Sequence, residues 1–239
     1  MSSTATKIPA VSIENLSKYL DGKQVLFDIN LSIKSGSVFG FLGPNGAGKT
    51  TTMKTILGLI QPDEGSVNIL GDTTLSNETK EKIGFMPENT YLYKYLTGRE
   101  FLRFNGKFFK IPDAELNERI EKILHKVGLD TVGDKLLAKY SKGMLQRIGL
   151  GQAIINNPSI VFLDEPMSGL DPIGRKMVKD LILELKTQGT TVFFNTHILS
   201  DVESICDSFA IIHQGHLVAN DLVQNLNKPL EEYFIEKIH

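Results

Sequence analysis

Apolar and polar residues alternate over residues 11–33 on either side of Asp21-Gly22, the pattern of an antiparallel ribbon with one buried face. The next apolar run, Val38-Phe39-Gly40-Phe41-Leu42, is short and unbroken, as in a strand covered on both faces. A glycine-rich loop leads from it into a helical segment, residues 51–57, with Gly58 near the helix end. Gln61-Pro62-Asp63-Glu64-Gly65 reads as a turn, residues 66–71 as a short edge strand, and residues 83–86 as a strand closed by Pro87. From Thr97 to Gln152 the period turns helical and no strand candidate occurs. Thr97-Gly98-Arg99-Glu100 forms a capping box. Residues 115–127 then bury one face through Leu116, Ile120, Ile123, Leu124 and Val127, and Gly128 stops them. Strand patterns return at residues 160–163, 191–195 and 209–213, with a helix over 176–185 and a second capping box at Ser200-Asp201-Val202-Glu203. Strands alternating with helices imply right-handed crossovers and a largely parallel sheet. The expected architecture is a single α/β domain. Its core, residues 11–96 and 153–239, holds a mostly parallel sheet and the N-terminal antiparallel ribbon, and residues 97–152 are an inserted helical subdomain.

Chemistry enters at the loop. Gly43-Pro44-Asn45-Gly46-Ala47-Gly48-Lys49-Thr50 lies between a buried strand and a helix start, where the pattern G-x-x-x-x-G-K-[ST] has its meaning. Glycines let successive N–H groups curl around phosphate oxygens, and the helix adds positive potential at its N-terminus. Lys49 supplies a mobile charge for the terminal phosphates, and the Thr50 hydroxyl suits Mg²⁺. The stretch therefore points to a bound nucleoside triphosphate with its magnesium ion. Residues 160–163 deliver Asp164 and Glu165 to a strand end, the first placed to hold Mg²⁺ and the second to polarise an attacking water. Ser141 and Gly143 sit at a helix start, a second anion-binding arrangement. His197 follows the strand at 191–195, within reach of a terminal phosphate, whereas His125, His213, His216 and His239 have no such placement.

Composition narrows the setting. Lys and Arg number 26 against 28 Asp and Glu, a net charge of −2, so no bulk attraction to nucleic acid or lipid head groups is expected. The one cysteine, Cys206, has no partner for an internal disulfide, which fits a reducing compartment and a small buried residue. No apolar run approaches the roughly 18 residues of a membrane span. Residues 1–10 are polar and lack a signal-peptide core, so a soluble, cytosolic protein is expected.

Glycine loop, Ser141-Lys142-Gly143, acid pair, Ser168-Gly169-Leu170-Asp171 turn and Thr196-His197, in that order, resemble the ATP-binding cassette (ABC) ATPases. The likeness runs from Ile13 to about Ile238. It is closest to single-cassette exporter subunits of the multidrug, lantibiotic and sodium-efflux type, through Thr51, Glu165-Pro166 and the stretch Thr196 to Glu203. The resemblance implies a P-loop NTPase fold and a motor that binds and hydrolyses ATP with Mg²⁺. It implies two cassettes packed head to tail and a transmembrane permease subunit on a separate chain, at the cytoplasmic face of the cell membrane. Gly43, Pro44, Asn45, Gly46, Ala47, Gly48, Lys49, Thr50 and Thr51 would hold the nucleotide, with Thr50 and Asp164 on the metal and Glu165 and His197 in catalysis. Ser141 and Gly143 would touch the nucleotide of the partner cassette, Asp171 would lie at the dimer interface, and residues 88–96 would link the site to the membrane subunit.

Three features depart from the family pattern. Glu88 replaces the magnesium-sensing glutamine and, as a carboxylate, is the third expected Mg²⁺ residue, Lys142 and Met144 replace a glycine and a glutamine of the signature, and Leu20 or Tyr19 stands where an aromatic residue stacks on adenine. Tyr91, Leu92, Tyr93, Tyr95 and Leu96 form an apolar and aromatic cluster that suits docking of a short helix from the membrane subunit. The alternative is a soluble cassette ATPase acting on nucleic acid or ribosomes. A single cassette and the lack of a heptad run between Lys49 and Asp164 speak against it.

Overall fold

The computed structural model describes residues 8–88 and 93–238. Tyr91, Leu92 and His239 lie outside the described residues. The ribbon forms as expected: β1 (Val11–Leu20) pairs antiparallel with β2 (Lys23–Ile33), and β4 (Glu64–Ile69) pairs with the other edge of β1, giving the order β2-β1-β4. The second sheet runs β5 (Ile83–Met86), β6 (Ile160–Asp164), β7 (Thr191–Thr196), β3 (Val38–Leu42), β8 (Ser208–His213), β9 (His216–Leu222). Every pairing in it is parallel except β8 with β9.

The unbroken apolar strands divide their side chains between two cores, as a period of two requires. Phe39, Phe41, Phe162, Phe193, Ala210 and Ile212 face the antiparallel sheet and α1 (Lys49–Ile56), where Phe193 lies 5.4 Å from both Phe39 and Phe162. Val38, Leu42, Val161, Leu163, Val192, Phe194, Phe209 and Ile211 face the other way. That second core is shared with the helices α3 (Gly98–Lys107), α4 (Asp113–Lys126), α5 (Lys142–Ala153) and α6 (Pro172–Thr187). The helical stretch thus packs on one face of the sheet and the ribbon on the other. Helix α3 starts with the expected capping box, Thr97 Oγ1 accepting from Glu100 N and Glu100 accepting from Thr97 N.

Two expectations change at the C-terminal end. The capping box at Ser200 does not form: α7 (Leu199–Ile205) begins two residues earlier, with Ser200 inside it and Ile198 at the cap. Glu203 accepts instead from the Leu230 backbone N–H at 2.6 Å, anchoring the start of α8 (Leu230–Ile238). Beyond β8 the pattern marked no strand, yet Gln214-Gly215 turns the chain back into β9 at the sheet edge. The short α2 (Asn77–Glu81), capped by Ser76, completes the helices.

Candidate functional site

The loop from Gly43 to Gly48 leaves the carboxyl end of β3 and turns directly into α1. Gly46 and Gly48 have φ of +80° and +112°, where an L side chain is strained, so the loop needs glycine at both. Ala47 is pinned at both ends, its N–H donating to Pro44 O and its carbonyl accepting from Gly215 N. Lys49 is buried, and its ammonium donates to the carbonyls of Gly43 (2.7 Å) and Pro44 (3.3 Å). Burial pulls the ammonium below its ordinary pKa, and the carboxylates of Glu165, Asp164 and Glu88 oppose that pull.

Strand β6 carries Asp164 and Glu165 to the same edge. Thr50 Oγ1 donates to Asp164 Oδ2 at 2.9 Å, and Asn195 Nδ2, from the end of neighbouring β7, donates to Oδ1 at 2.8 Å. The oxygen of the buried Asn195 amide, Oδ1, has no hydrogen-bond partner among the described residues. Glu165 Oε1 lies 3.0 Å from His197 Nδ1 and 3.8 Å from Lys49 Nζ. Glu165 itself has φ of +51°, uncommon for a non-glycine residue. Lys49, Thr50, Thr51, Glu165 and His197 line one cavity of about 870 Å³, together with Asn45, Gly46, Gly48, Glu88 and Ser168. Asp164 stands behind Thr50.

The arrangement has the parts for handling a polyphosphate: a glycine loop running into a helix N-terminus, one buried cation, and a carboxylate in contact with a histidine. Thr50 and Asp164 give a hydroxyl–carboxylate pair that fits a hard divalent cation completing its shell from phosphate and water. No group of three His, Cys, Asp or Glu side chains gathers among the described residues, so a cage built by protein alone is not present there.

Ser141, Gly143 and Asp171 do not line this cavity. Ser141 caps α5, accepting from Met144 N, and Asp171 caps α6, accepting from Gly174 N at 2.7 Å. Tyr19 and Leu20, 44% and 38% exposed, do not line it either. The cavity wall near the ribbon is made instead by Val25, Phe27 and His216, the last two stacked at 4.3 Å. Neither these residues nor Asn195 was marked by sequence motifs.

The described part of the 88–96 segment is partly exposed, with Tyr93 at 46% and Tyr95 at 74%. Phe104 and Phe108, one helical turn apart along and just past α3, extend it into a row: Tyr95–Tyr93 6.0 Å, Tyr93–Phe104 5.4 Å, Phe104–Phe108 5.2 Å between ring centres. Their spacing of four was the available signal. Among the described residues no helix is long and apolar enough to cross a membrane.

Residues 26–168 match the family model described as ABC transporter. The chain is 48% identical over 210 residues to an uncharacterized ABC transporter ATP-binding protein of Nostoc sp., covering 87% of this chain and 62% of that relative. It therefore spans less than two thirds of that relative's length. The bacitracin transport ATP-binding protein BcrA of Bacillus licheniformis is 38% identical over 226 residues, 93% of this chain and 73% of BcrA. A solved structure described as the ATP binding subunit of an ABC transporter superposes with a TM-score of 0.88 at 30% identity, covering 95% of this chain and 99% of the other.

Proposed function

The chain belongs to the ABC transporter family, and on that premise we propose that it is the ATP-binding and ATP-hydrolysing motor of a membrane transporter. It would work as a head-to-tail pair of cassettes beside a separate transmembrane subunit, at the cytoplasmic face of the membrane. The observation that supports this most is the meeting of Lys49, Thr50 and Glu165 in one cavity, with Asp164 held against Thr50. In this reading the loop of residues 43–50 binds the phosphates through its backbone N–H groups, Pro44 having none, and Thr51 flanks them. Lys49, whose burial disfavours its charge, gains from an anionic partner. Glu165 accepts the proton of the attacking water, and His197 orients that carboxylate through Nδ1 and offers Nε2 to the terminal phosphate. Thr50 and Asp164 would hold Mg²⁺, with Glu88 nearby, and the ion would offset charge developing on the phosphates.

Ser141, Gly143 and Asp171 stand away from the cavity of their own chain, which supports their serving a partner cassette. We assign residues 97–152 as the helical subdomain that carries them. Export is the direction we infer, from the likeness of Thr51, Glu165-Pro166 and the stretch Thr196 to Glu203 to exporter cassettes.

Replacing Glu165 by Gln is expected to leave ATP affinity within about threefold while slowing turnover roughly 10²–10⁴-fold, the range for a lost general base. Equilibrium binding beside phosphate release measures both, and wild-type turnover would remove Glu165 from the mechanism. The row Tyr95–Tyr93–Phe104–Phe108 is the docking surface we propose for a short amphipathic helix of the transmembrane subunit. Tyr95→Ser or Phe108→Ser should weaken co-purification with that subunit at least tenfold and spare ATP affinity. Intact assembly in both variants would place the interface elsewhere.

A further inference from the structure

The backbone of Glu165 is held in an unfavourable conformation, and its carbonyl reaches outside its own strand. Glu165 N donates to Asn195 O at 3.1 Å, tying the residue to β7. Its carbonyl oxygen accepts from Ser168 N at 3.1 Å and from Gln146 Nε2 at 2.9 Å. Gln146 belongs to α5, the helix that Ser141 caps, and it is only 6% exposed. Its amide is therefore a fixed support reaching from the signature helix to the residue that must keep φ at +51° in front of Pro166. The same helix touches the following turn at further points. The Lys142 stem covers Gly169, so closely that a Cβ there would lie 3.0 Å from Lys142 Cε, and Gly143 packs beside Leu170.

We propose that Gln146 is a positioning residue for Glu165, and that through it the signature of one site governs the general base of the other site in the dimer. This rests on the shared-site reading given above. Under that reading, α5 of one chain faces the nucleotide held by its partner, while Glu165 of the same chain serves the nucleotide in its own loop. A shift of α5 on contact with the partner's nucleotide moves the Gln146 amide, and the Glu165 carbonyl follows. The two sites are thereby coupled through one hydrogen bond inside each chain.

The test places the defects on the same chain or on opposite chains. Gln146→Met keeps the side chain's length and removes the donor, and Glu165→Gln silences one site of a mixed dimer. With both changes on one chain, the remaining Glu165 keeps its own Gln146. With the changes on opposite chains, the remaining Glu165 has lost it. Cleavage of preloaded ATP in a single round, followed by rapid quench, is expected to be at least tenfold slower in the opposite-chain dimer. The same-chain dimer should match a wild-type/Glu165→Gln dimer. If Gln146 merely props up the signature for the partner's nucleotide, the order reverses, because the opposite-chain defect then falls on the silenced site. Equal rates or the reversed order overturn the proposal. Gln146→Glu, which keeps the length and presents an acceptor to the carbonyl, should repeat the asymmetry, so a folding defect peculiar to the Met variant cannot decide it. Mixing Lys49→Ala with Ser141→Arg tests separately whether the sites are shared at all.

Discussion

At the scale of single residues, the sequence motifs located the side chains that carry charge and left out those that hold them. Lys49, Asp164 and Glu165 were readable because their types and spacing are demanded by phosphate chemistry. Asn195 was not, because a buried amide at the end of an apolar strand looks like an ordinary strand-end polar residue. In the structure it is fully buried and donates to Asp164 Oδ1, fixing the carboxylate that Thr50 also touches. Asn195→Asp would set two buried carboxyl groups against each other. Like charge and burial both raise the pKa of the pair, so the variant should be least harmed at low pH, where a carboxyl is protonated. Its stability relative to the wild type should fall as pH rises through the raised pKa, reaching a loss of about 1–3 kcal/mol at pH 8 without metal. Urea midpoints at pH 5 and pH 8 in a chelator check the sign, and Mg²⁺ should narrow the gap at pH 8. A variant equally stable at both pH values would show that the new carboxyl is relieved by water. Cys206 illustrates the opposite case, a residue read as inert whose surroundings agree. Burial first, then Asp207 and Asp201, push its thiol well above the ordinary range, so it is a poor nucleophile.

At the scale of elements, periodicity placed the ribbon, the parallel strands and the inserted helices, since each buries a continuous apolar face. It failed where burial is partial. Strand β9 is an edge strand whose residues are mostly half-exposed, so its alternation is faint. The stronger signal was Gln214-Gly215, with φ of +46° and +81°, a two-residue turn whose twist suits a hairpin. The expected capping box at Ser200 failed because the backbone had another solution. Thr196 Oγ1 accepts from Ile198 N at 3.0 Å, and Asp201 is drawn into ion pairs with Arg175 and Lys179. Where α5 ends against β5 the backbones leave no room for a side chain. A Cβ on Gly84 would lie 1.9 Å from the Ala153 carbonyl oxygen, which is backbone and has no rotamer to yield. Gly84→Ala should therefore separate β5 from α5 and cost about 1–3 kcal/mol or more. Chemical denaturation measures the loss, and an unchanged midpoint would mean that the strand shifts freely at the sheet edge.

At the scale of the whole molecule, two of the five motifs place their functional residues away from the cavity of their own chain, where they only cap helices. Ser141 and Gly143 open a helix of 12 residues and Asp171 caps another, yet none reaches the cavity that holds Lys49 and Glu165. Sequence order alone could not separate one complete site from two halves, because order along the chain says nothing of which copy supplies a group. Complementation can. Lys49→Ala removes the loop cation, and Ser141→Arg fills the helix start with bulk and charge. Each homodimer carries two defective sites and should show little ATP-dependent dimerisation or turnover. In a mixed dimer under the shared-site reading, one site collects both defects and the other joins an intact loop to an intact helix start. Mixing should then recover about a quarter of the wild-type turnover, because unbiased association puts half of the chains into mixed dimers and only one of the two sites in each is intact. If each chain used its own Ser141, every site in every combination would contain a defect, and the mixture would remain as inactive as its parents. Dimerisation measured by light scattering alongside turnover separates a dimer that forms without firing from one that never forms. Recovery of neither would assign Ser141 and its helix to the chain's own nucleotide, against the present geometry.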